Sequence, residues 1–310
     1  MGRVAGPPIG GRRIHGLVVS AGQGAPHPGW VNQAIRVQGL RKCYGDRKVL
    51  AGVDLHVDWG ECVALLGPNG AGKSTTIEIL EGYRRRDGGA VEVCGADPAT
   101  AGSRWRAQLG IVLQDSRPSD ELTVTELLRQ FASYYPEPRS PGEVIEMVGL
   151  TPHAAQRAKR LSGGQQRRLD VALGLIGRPR LIFLDEPTTG FDPEARRQFW
   201  DLIRSLRGDG TTVLLTTHYL DEAAALADRV IVLAAGRVVA DTAPAELGGR
   251  HLAAATVTWT EHGAPQRETT ETPAALIAAL SARLGGEVPD LGVHRRSLED
   301  AYLELVGAAA

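Results

Sequence analysis

The chain has 310 residues, 43% of them hydrophobic, enough to fill the cores of one large domain and one small one. Its 35 basic and 36 acidic residues leave a formal charge of −1, which excludes the strong positive field that draws a protein to nucleic acid. No apolar run reaches the roughly 18 residues of a membrane helix, so a direct membrane span is excluded as well.

Residues 1–30 are rich in Gly, Pro and Arg with little apolar periodicity, which fits a disordered extension or an overextended gene start better than a targeting signal. From Ala34 to Leu66 apolar residues recur every second position (Ile35, Val37; Val53, Leu55, Val57), predicting an antiparallel sheet. The apolar run Cys62–Leu66 then leads into Gly67, Pro68, Asn69, Gly70, Ala71, Gly72, Lys73, Ser74 and Thr75. That spacing is a phosphate-binding loop: its glycines let backbone N–H groups converge on phosphates, Lys73 adds a point charge, and the Ser74 hydroxyl can ligate Mg²⁺. Helix-forming residues follow, so the phosphates meet a helix N-terminus.

Ala90–Gly95 reads as another strand, preceded by Arg84, Arg85 and Arg86, which read as a solvated turn. Thr123 and Ser140 are cap-like starts of two helices in a helical subdomain. Ser162, Gly163, Gly164 and Gln165 open a third helix, where Ser162 can cap and the glycines leave N–H groups open toward an anion; a plain cap is the alternative. Arg180–Leu184 and Thr212–Thr217 are continuous apolar runs of buried parallel strands, joined by a helix over 193–206. The first ends in Asp185 and Glu186. Adjacent carboxylates at a buried strand end are costly unless a metal or a reacting water uses them, which makes Asp185 the metal-side acid and Glu186 the group that polarises water; an N-cap aspartate beside a solvated glutamate is the alternative. Arg229–Ala240 turns at Ala235-Gly236 as a hairpin. Beyond about 245 the composition becomes Ala- and Thr-rich, with a strand at Ala255–Trp259, a helix over 273–284 and a final helix from Ser297, predicting a small α+β appendage.

The three motifs together resemble the ATP-binding subunit of an ATP-binding cassette (ABC) transporter, with the match running from about Ile35 to about Ala240. By that resemblance Tyr44 stacks on adenine, although alone it reads as a core tyrosine at a strand end. Gln114 senses Mg²⁺ and the attacking water, Ser162 through Gln165 form the signature sequence, His218 contacts the γ-phosphate, and Asp192 lies in the loop that couples two nucleotide sites, with Phe191 where leucine is commoner. The resemblance implies an α/β P-loop fold of ABC type, with a parallel core sheet, an antiparallel β subdomain and a helical subdomain.

The expected organisation is an extension at 1–30, a nucleotide-binding domain at 31–245 and a C-terminal accessory domain at 246–310. The resemblance further implies an ATPase using ATP and Mg²⁺. It would pair as a homodimer or with a related subunit, drive a separate membrane permease, and sit in the cytoplasm against the inner face of the membrane. Thr217–Ala223 and the closing Ser297–Leu305 segment are similar to the branch that drives drug and antibiotic exporters, including daunorubicin-resistance pumps. Phe131, Tyr134 and Tyr135 either line the permease contact or belong to the core. A ribosome- or DNA-acting soluble ABC ATPase is the alternative function. It is disfavoured by the single phosphate loop and by the lack of room for long coiled coils between Gly67 and Ser162. A GTPase is excluded, since neither Asn32 nor Asn69 begins a guanine-reading motif. Cys43, Cys62 and Cys94 are scattered without disulfide or zinc spacing and are expected as buried thiols.

Overall fold

Period-two alternation in the first strands becomes one antiparallel sheet, in which β1 (Gln33–Tyr44) pairs with β2 (Arg47–Asp58) on one side and with β4 (Gly88–Val93) on the other. The computed structural model describes residues 32–113, 121–247, 255–295 and 298–309; the extension expected at 1–30, Gln114 and Ser297 lie outside them. Ile35, Val37, Val53, Leu55 and Val57 all turn inward, as their spacing requires.

The second sheet is the core. Its order is β5 (Leu109–Val112), β6 (Leu181–Asp185), β7 (Thr212–Thr216), β3 (Cys62–Leu66), β8 (Arg229–Ala234) and β9 (Arg237–Thr242). The first five run parallel and β9 closes the edge as the antiparallel arm of the expected hairpin. Every residue of β3 and β7 is buried, because a parallel sheet is covered on both faces. The loops after β3, β6 and β7 therefore leave from one edge, the carboxyl ends of parallel strands, where open α/β sheets gather ligand-binding groups.

Helix α1 (Lys73–Leu80) follows β3, the short α2 (Ser103–Arg106) precedes β5, and α6 (Pro193–Gly208) and α7 (Leu220–Leu226) flank β7. Between β5 and β6 lie α3 (Val124–Ala132), α4 (Pro141–Met147) and α5 (Gly163–Leu175). Thr123 caps α3 in a capping box with Glu126, and Ser140 caps α4 ahead of Pro141. Tyr135 is half-buried, lying against Gly177 and the core, whereas Tyr134 is exposed, with its ring centre 5.8 Å from that of Phe131 in an edge-on arrangement.

A third, small sheet has the order β11 (Ala264–Thr270), β10 (Ala255–Glu261), β12 (Gly292–Arg295), with α8 (Pro273–Leu284) closing a core of Val257, Trp259, Leu280 and Val288. The last helix, α9 (Leu298–Ala309), does not join that core: Leu298, Tyr302, Leu305 and Val306 pack against the main hydrophobic cluster beside β8 and β9.

Two expectations are corrected. Cys62 is buried, but Cys43 is exposed and Cys94 half-buried, because β1 leaves the core at its Lys42–Tyr44 end and Cys94 turns out of β4. The arginine triplet is only partly solvated, since Arg84 pairs with Glu78 and Arg86 makes a two-pronged contact with Asp97 at 2.8 and 2.6 Å.

Candidate functional site

The loop after β3 can only be built from glycines where the backbone approaches its neighbours. A Cβ at Gly67 would collide with the Leu233 carbonyl, and Gly72, at φ +105°, leaves no room for a side chain 2.6 Å from Leu50. Gly72 is also the N-cap of α1 and supplies no side-chain cap, so the first-turn amides of α1 keep their donors for a ligand. Lys73 is 7% exposed; its Nζ donates to the carbonyls of Gly67 at 2.7 Å and Pro68 at 3.3 Å. Burial lowers its pKa while the charges of Glu186 and Asp185 oppose that shift.

A cavity of about 590 Å³ opens at this loop, lined by Asn69, Gly70, Gly72, Lys73, Ser74 and Thr75 together with Tyr44, Arg47 and Glu186. Gly67, Pro68 and Ala71 shape the loop from behind, Ala71 being turned into the core. The Tyr44 ring is 40% exposed, with the Arg84 guanidinium 5.2 Å and Lys42 5.6 Å from its centre, and its hydroxyl is 3.5 Å from Thr75 Oγ1. An accessible ring on a cationic rim can stack on a base and steer a polyphosphate.

The acids at the end of β6 are fixed through β7. The Thr216 hydroxyl donates to Asp185 Oδ1 and accepts from the Glu186 N–H at 3.0 Å, and the same N–H lies 3.1 Å from the Thr216 carbonyl. Glu186 has φ +43°, a left-handed conformation costing a side-chain-bearing residue about 1–3 kcal/mol, tolerated where surrounding bonds over-determine it. Its carboxylate accepts from Thr189 Oγ1 at 3.4 Å and lies 3.5 Å from His218 Nδ1. Lys73, Asp185, Glu186 and His218 are thus brought together from three strand ends.

The signature residues gather elsewhere. Ser162 N-caps α5 in a capping box: its hydroxyl accepts from Gln165 N at 3.4 Å, and Gln165 Oε1 accepts from Ser162 N at 3.0 Å. These residues line a separate cavity of about 440 Å³ together with Gly163, Gly164, His153, Arg168 and Asp192. Asp192 caps α6, accepting from Ala195 N at 2.8 Å. Among the described residues, none lines both cavities.

Sequence reasoning missed Arg47, His153, Arg167, Thr216 and Glu222. His153 Nε2 is 3.0 Å from Gln165 Nε2 while its Nδ1 is 3.0 Å from Gln156 Oε1. Glu222 is fully buried; burial raises its pKa, opposed by Thr217, Thr188 and Trp200 as hydrogen-bond partners. One signal was present for Arg167: it stands where α5 runs into Leu169, Val171, Ala172 and Leu175, all buried, and a charged residue at the start of such a run must find partners.

The sequence pattern of the family described as ABC transporter matches residues 50–189. The daunorubicin resistance ATP-binding protein DrrA3 of Streptomyces coeruleorubidus is 38% identical over 304 residues, 88% of this chain and 96% of that one. The chain belongs to the ABC transporter family. As an ABC ATP-binding subunit it is an ATPase of the kind that acts with a membrane permease. A Nod factor export ATP-binding protein I of Ralstonia nicotianae is 42% identical over 229 residues, 72% of this chain and 71% of that one. Among solved structures, an ATP-binding subunit of an ABC transporter matches with a TM-score of 0.65 at 25% identity, over 88% of this chain and 99% of that chain. A dimeric cassette in a post-hydrolysis state, bound to ADP and Pi, matches at 0.62 and 27% identity, over 67% of this chain and 98% of that chain. Among the described residues of the ABC subunit, no helix is long and apolar enough to cross a membrane.

Proposed function

We propose that this ABC subunit works as a head-to-tail pair in which ATP, held at Lys73 of one copy, is completed by Ser162, Gly163 and Gly164 of the other, and that the pair drives a permease exporting drug-like small molecules. The observation that carries the pairing is the separation of the two cavities: each is lined by half of the groups a triphosphate would need, and a two-fold arrangement uses both halves twice. The export reading leans on the relatives, two of which are named for daunorubicin resistance and Nod factor export.

Within each pocket Tyr44 stacks on adenine, the loop amides of 69–75 and Lys73 hold the phosphates, and Asp192 lies on the closing surface beside the signature. Glu186 takes a proton from the attacking water and His218, beside it, contacts the γ-phosphate; a positioned base of this kind contributes about 10²–10⁴ in rate. Gln114, before which β5 ends, would contact water and metal. The donor chemistry fits Mg²⁺: the Ser74 hydroxyl and the Asp185 carboxylate are hard oxygen ligands, and among the described residues no cluster of three or more acidic, His or Cys side chains forms an all-protein cage. Held by Ser74 and Asp185, such an ion would supply positive charge to offset that developing on the transferring phosphoryl group.

The permease would dock at a groove of about 580 Å³ between α3 and α4, lined by Thr125, Arg129, Pro141, Ile145 and Thr151 among others, at the cytoplasmic face of the membrane. Neither Phe131, Tyr134 nor Tyr135 lines that groove. Residues 31–245 act as the nucleotide-binding domain and 246–310 as an accessory domain whose last helix reaches back to the cassette.

The experiment that tests this is Glu186→Gln. The variant is expected to bind ATP normally, to lose nearly all turnover, and to run as a dimer by light scattering when ATP is present. Normal turnover, or a monomer at saturating ATP, sinks the reading.

A further inference from the structure

Arg167 is 7% exposed on α5, and its guanidinium reaches three main-chain carbonyls. Nε donates to Pro187 O at 3.1 Å, Nη2 to Asp185 O at 2.7 Å, and Nη1 to Leu113 O, while Asp170 lies 3.9 Å from Nη1 one turn along the helix. Two of the three acceptors stand immediately before and after Glu186, and the third immediately precedes Gln114. Glu186 is the residue held at φ +43°, with its N–H bound to Thr216 from the other side. A left-handed turn at a side-chain-bearing residue persists only while its flanking peptides are pinned. Here one planar fork holds the peptide that enters Glu186, through the Asp185 carbonyl, and the one that leaves Pro187.

We propose that Arg167 is a positioning residue for ATP hydrolysis: it clamps the carbonyls of the residues on either side of Glu186, thereby aiming that carboxylate, and ties the turn to the helix that begins at Ser162, Gly163 and Gly164. This rests on the reading of Glu186 as the group that activates water. Arg167 lies two residues beyond Gln165, so the helix that offers its N-terminus to the opposite pocket also holds the acid of its own pocket. A displacement of α5 as two copies close is transmitted to Glu186 through a single buried side chain. Lysine cannot replace it, because a point-charge ammonium lacks the fixed fork needed to meet three carbonyls in three directions.

Arg167→Lys, Arg167→Gln and Arg167→Ala, made in the full chain beside Glu186→Gln, test this. Arg167→Lys is expected to keep the melting temperature, the KM and the affinity for fluorescent ATP within about twofold, while kcat falls by about tenfold to 10²-fold, as a misaimed catalytic group requires. Hydrogen exchange at the Glu186 and Thr188 amides should accelerate with the interior of β6 still protected, and guanidinium ion added to Arg167→Ala should restore part of kcat. Should the Gln and Ala variants fail to fold, the Lys variant and its exchange pattern decide. Wild-type kcat in Arg167→Lys, or losses of kcat that follow the unfolded fraction with no rescue, overturns the proposal while leaving an inactive Glu186→Gln to uphold the catalytic reading. An active Glu186→Gln removes both.

Discussion

The cavity at Lys73 is framed by strand ends and the cavity at Ser162 by helix starts, and they differ in charge as well. The first holds one buried lysine in the fields of Glu186 and Asp185, and Asp185 acts in turn on the buried Glu81. The second is lined by Arg168 and His153, with a single acid, Asp192, already engaged as a helix cap. A strand end in a covered parallel sheet is rigid and dehydrated, which suits groups that must act on a bond. A helix start offers amides with no chemistry of its own, which suits recognition of a phosphate held by someone else. Under the proposed pairing, this contrast gives the two cavities separate tasks, chemistry at Lys73 and recognition at Ser162.

The sharpest way to break that contrast is to damage each cavity in turn. Lys73→Ala is expected to weaken ATP binding by the isolated chain and to lower turnover by about 10²–10³, the usual loss for one preorganised charge. Ser162→Arg should lower turnover by a similar factor while leaving nucleotide binding to the single chain within about twofold, because its cavity is distinct from the one at Lys73. Mixing the two variants forms pairs with one intact composite pocket, so ATPase activity should reappear in the mixture. If Ser162→Arg alone turns over at the wild-type rate, the second cavity has no part in hydrolysis.

A smaller effect separates base recognition from chemistry within the first cavity. Tyr44→Ala removes the accessible ring from its lining and should raise the Kd for ATP about tenfold, in line with about 1–3 kcal/mol for stacking on a base, with kcat at saturation unchanged and Tyr44→Phe near wild type. Titration of ATP into the wild type and both variants measures it directly. An unchanged Kd in the Ala variant would return Tyr44 to a role in shaping the hairpin between β1 and β2.

The motifs at 67–75, 162–165 and 185–186 were legible because each demands residue types that local backbone geometry dictates: glycines where a Cβ would collide, a hydroxyl at an N-cap, acids at the end of an apolar strand. What escaped reading depends on partners distant in sequence. β11 is polar and exposed along nearly its whole length, so it shows no alternation and exists only by pairing with β10. β12 is four residues long and visible only through the same partner. Arg86 reads as a solvated arginine until Asp97 is folded against it, and Arg167 reads as one basic residue among several until the ends of β5 and β6 arrive beside it. The final helix resembled part of the appendage, but whether an amphipathic helix covers a small core or a large one is not written in its own period.

The smallest predicted effect is on stability, and it lies on the acidic side of the contrast. Glu81, at the end of α1, is 7% exposed, and burial, reinforced by the charges of Asp185 and Glu78, pushes its pKa up to about 8 from an ordinary 4.5. Its carboxyl is therefore protonated at neutral pH in the folded chain and ionised in the unfolded one. Between 4.5 and about 8 the folded state holds the extra proton, so stability falls as pH rises through that window and levels off above it. Glu81→Gln mimics the neutral carboxyl at every pH. It is expected to flatten this part of the profile, with melting temperatures similar to wild type near the acidic end and higher by about 2–4 °C for each 1 kcal/mol gained at the alkaline end. Thermal melts of the two proteins across the window decide the matter: parallel curves would mean that Glu81 is ionised where it sits, and the crowding of acids behind the Lys73 cavity would then carry no cost in folding.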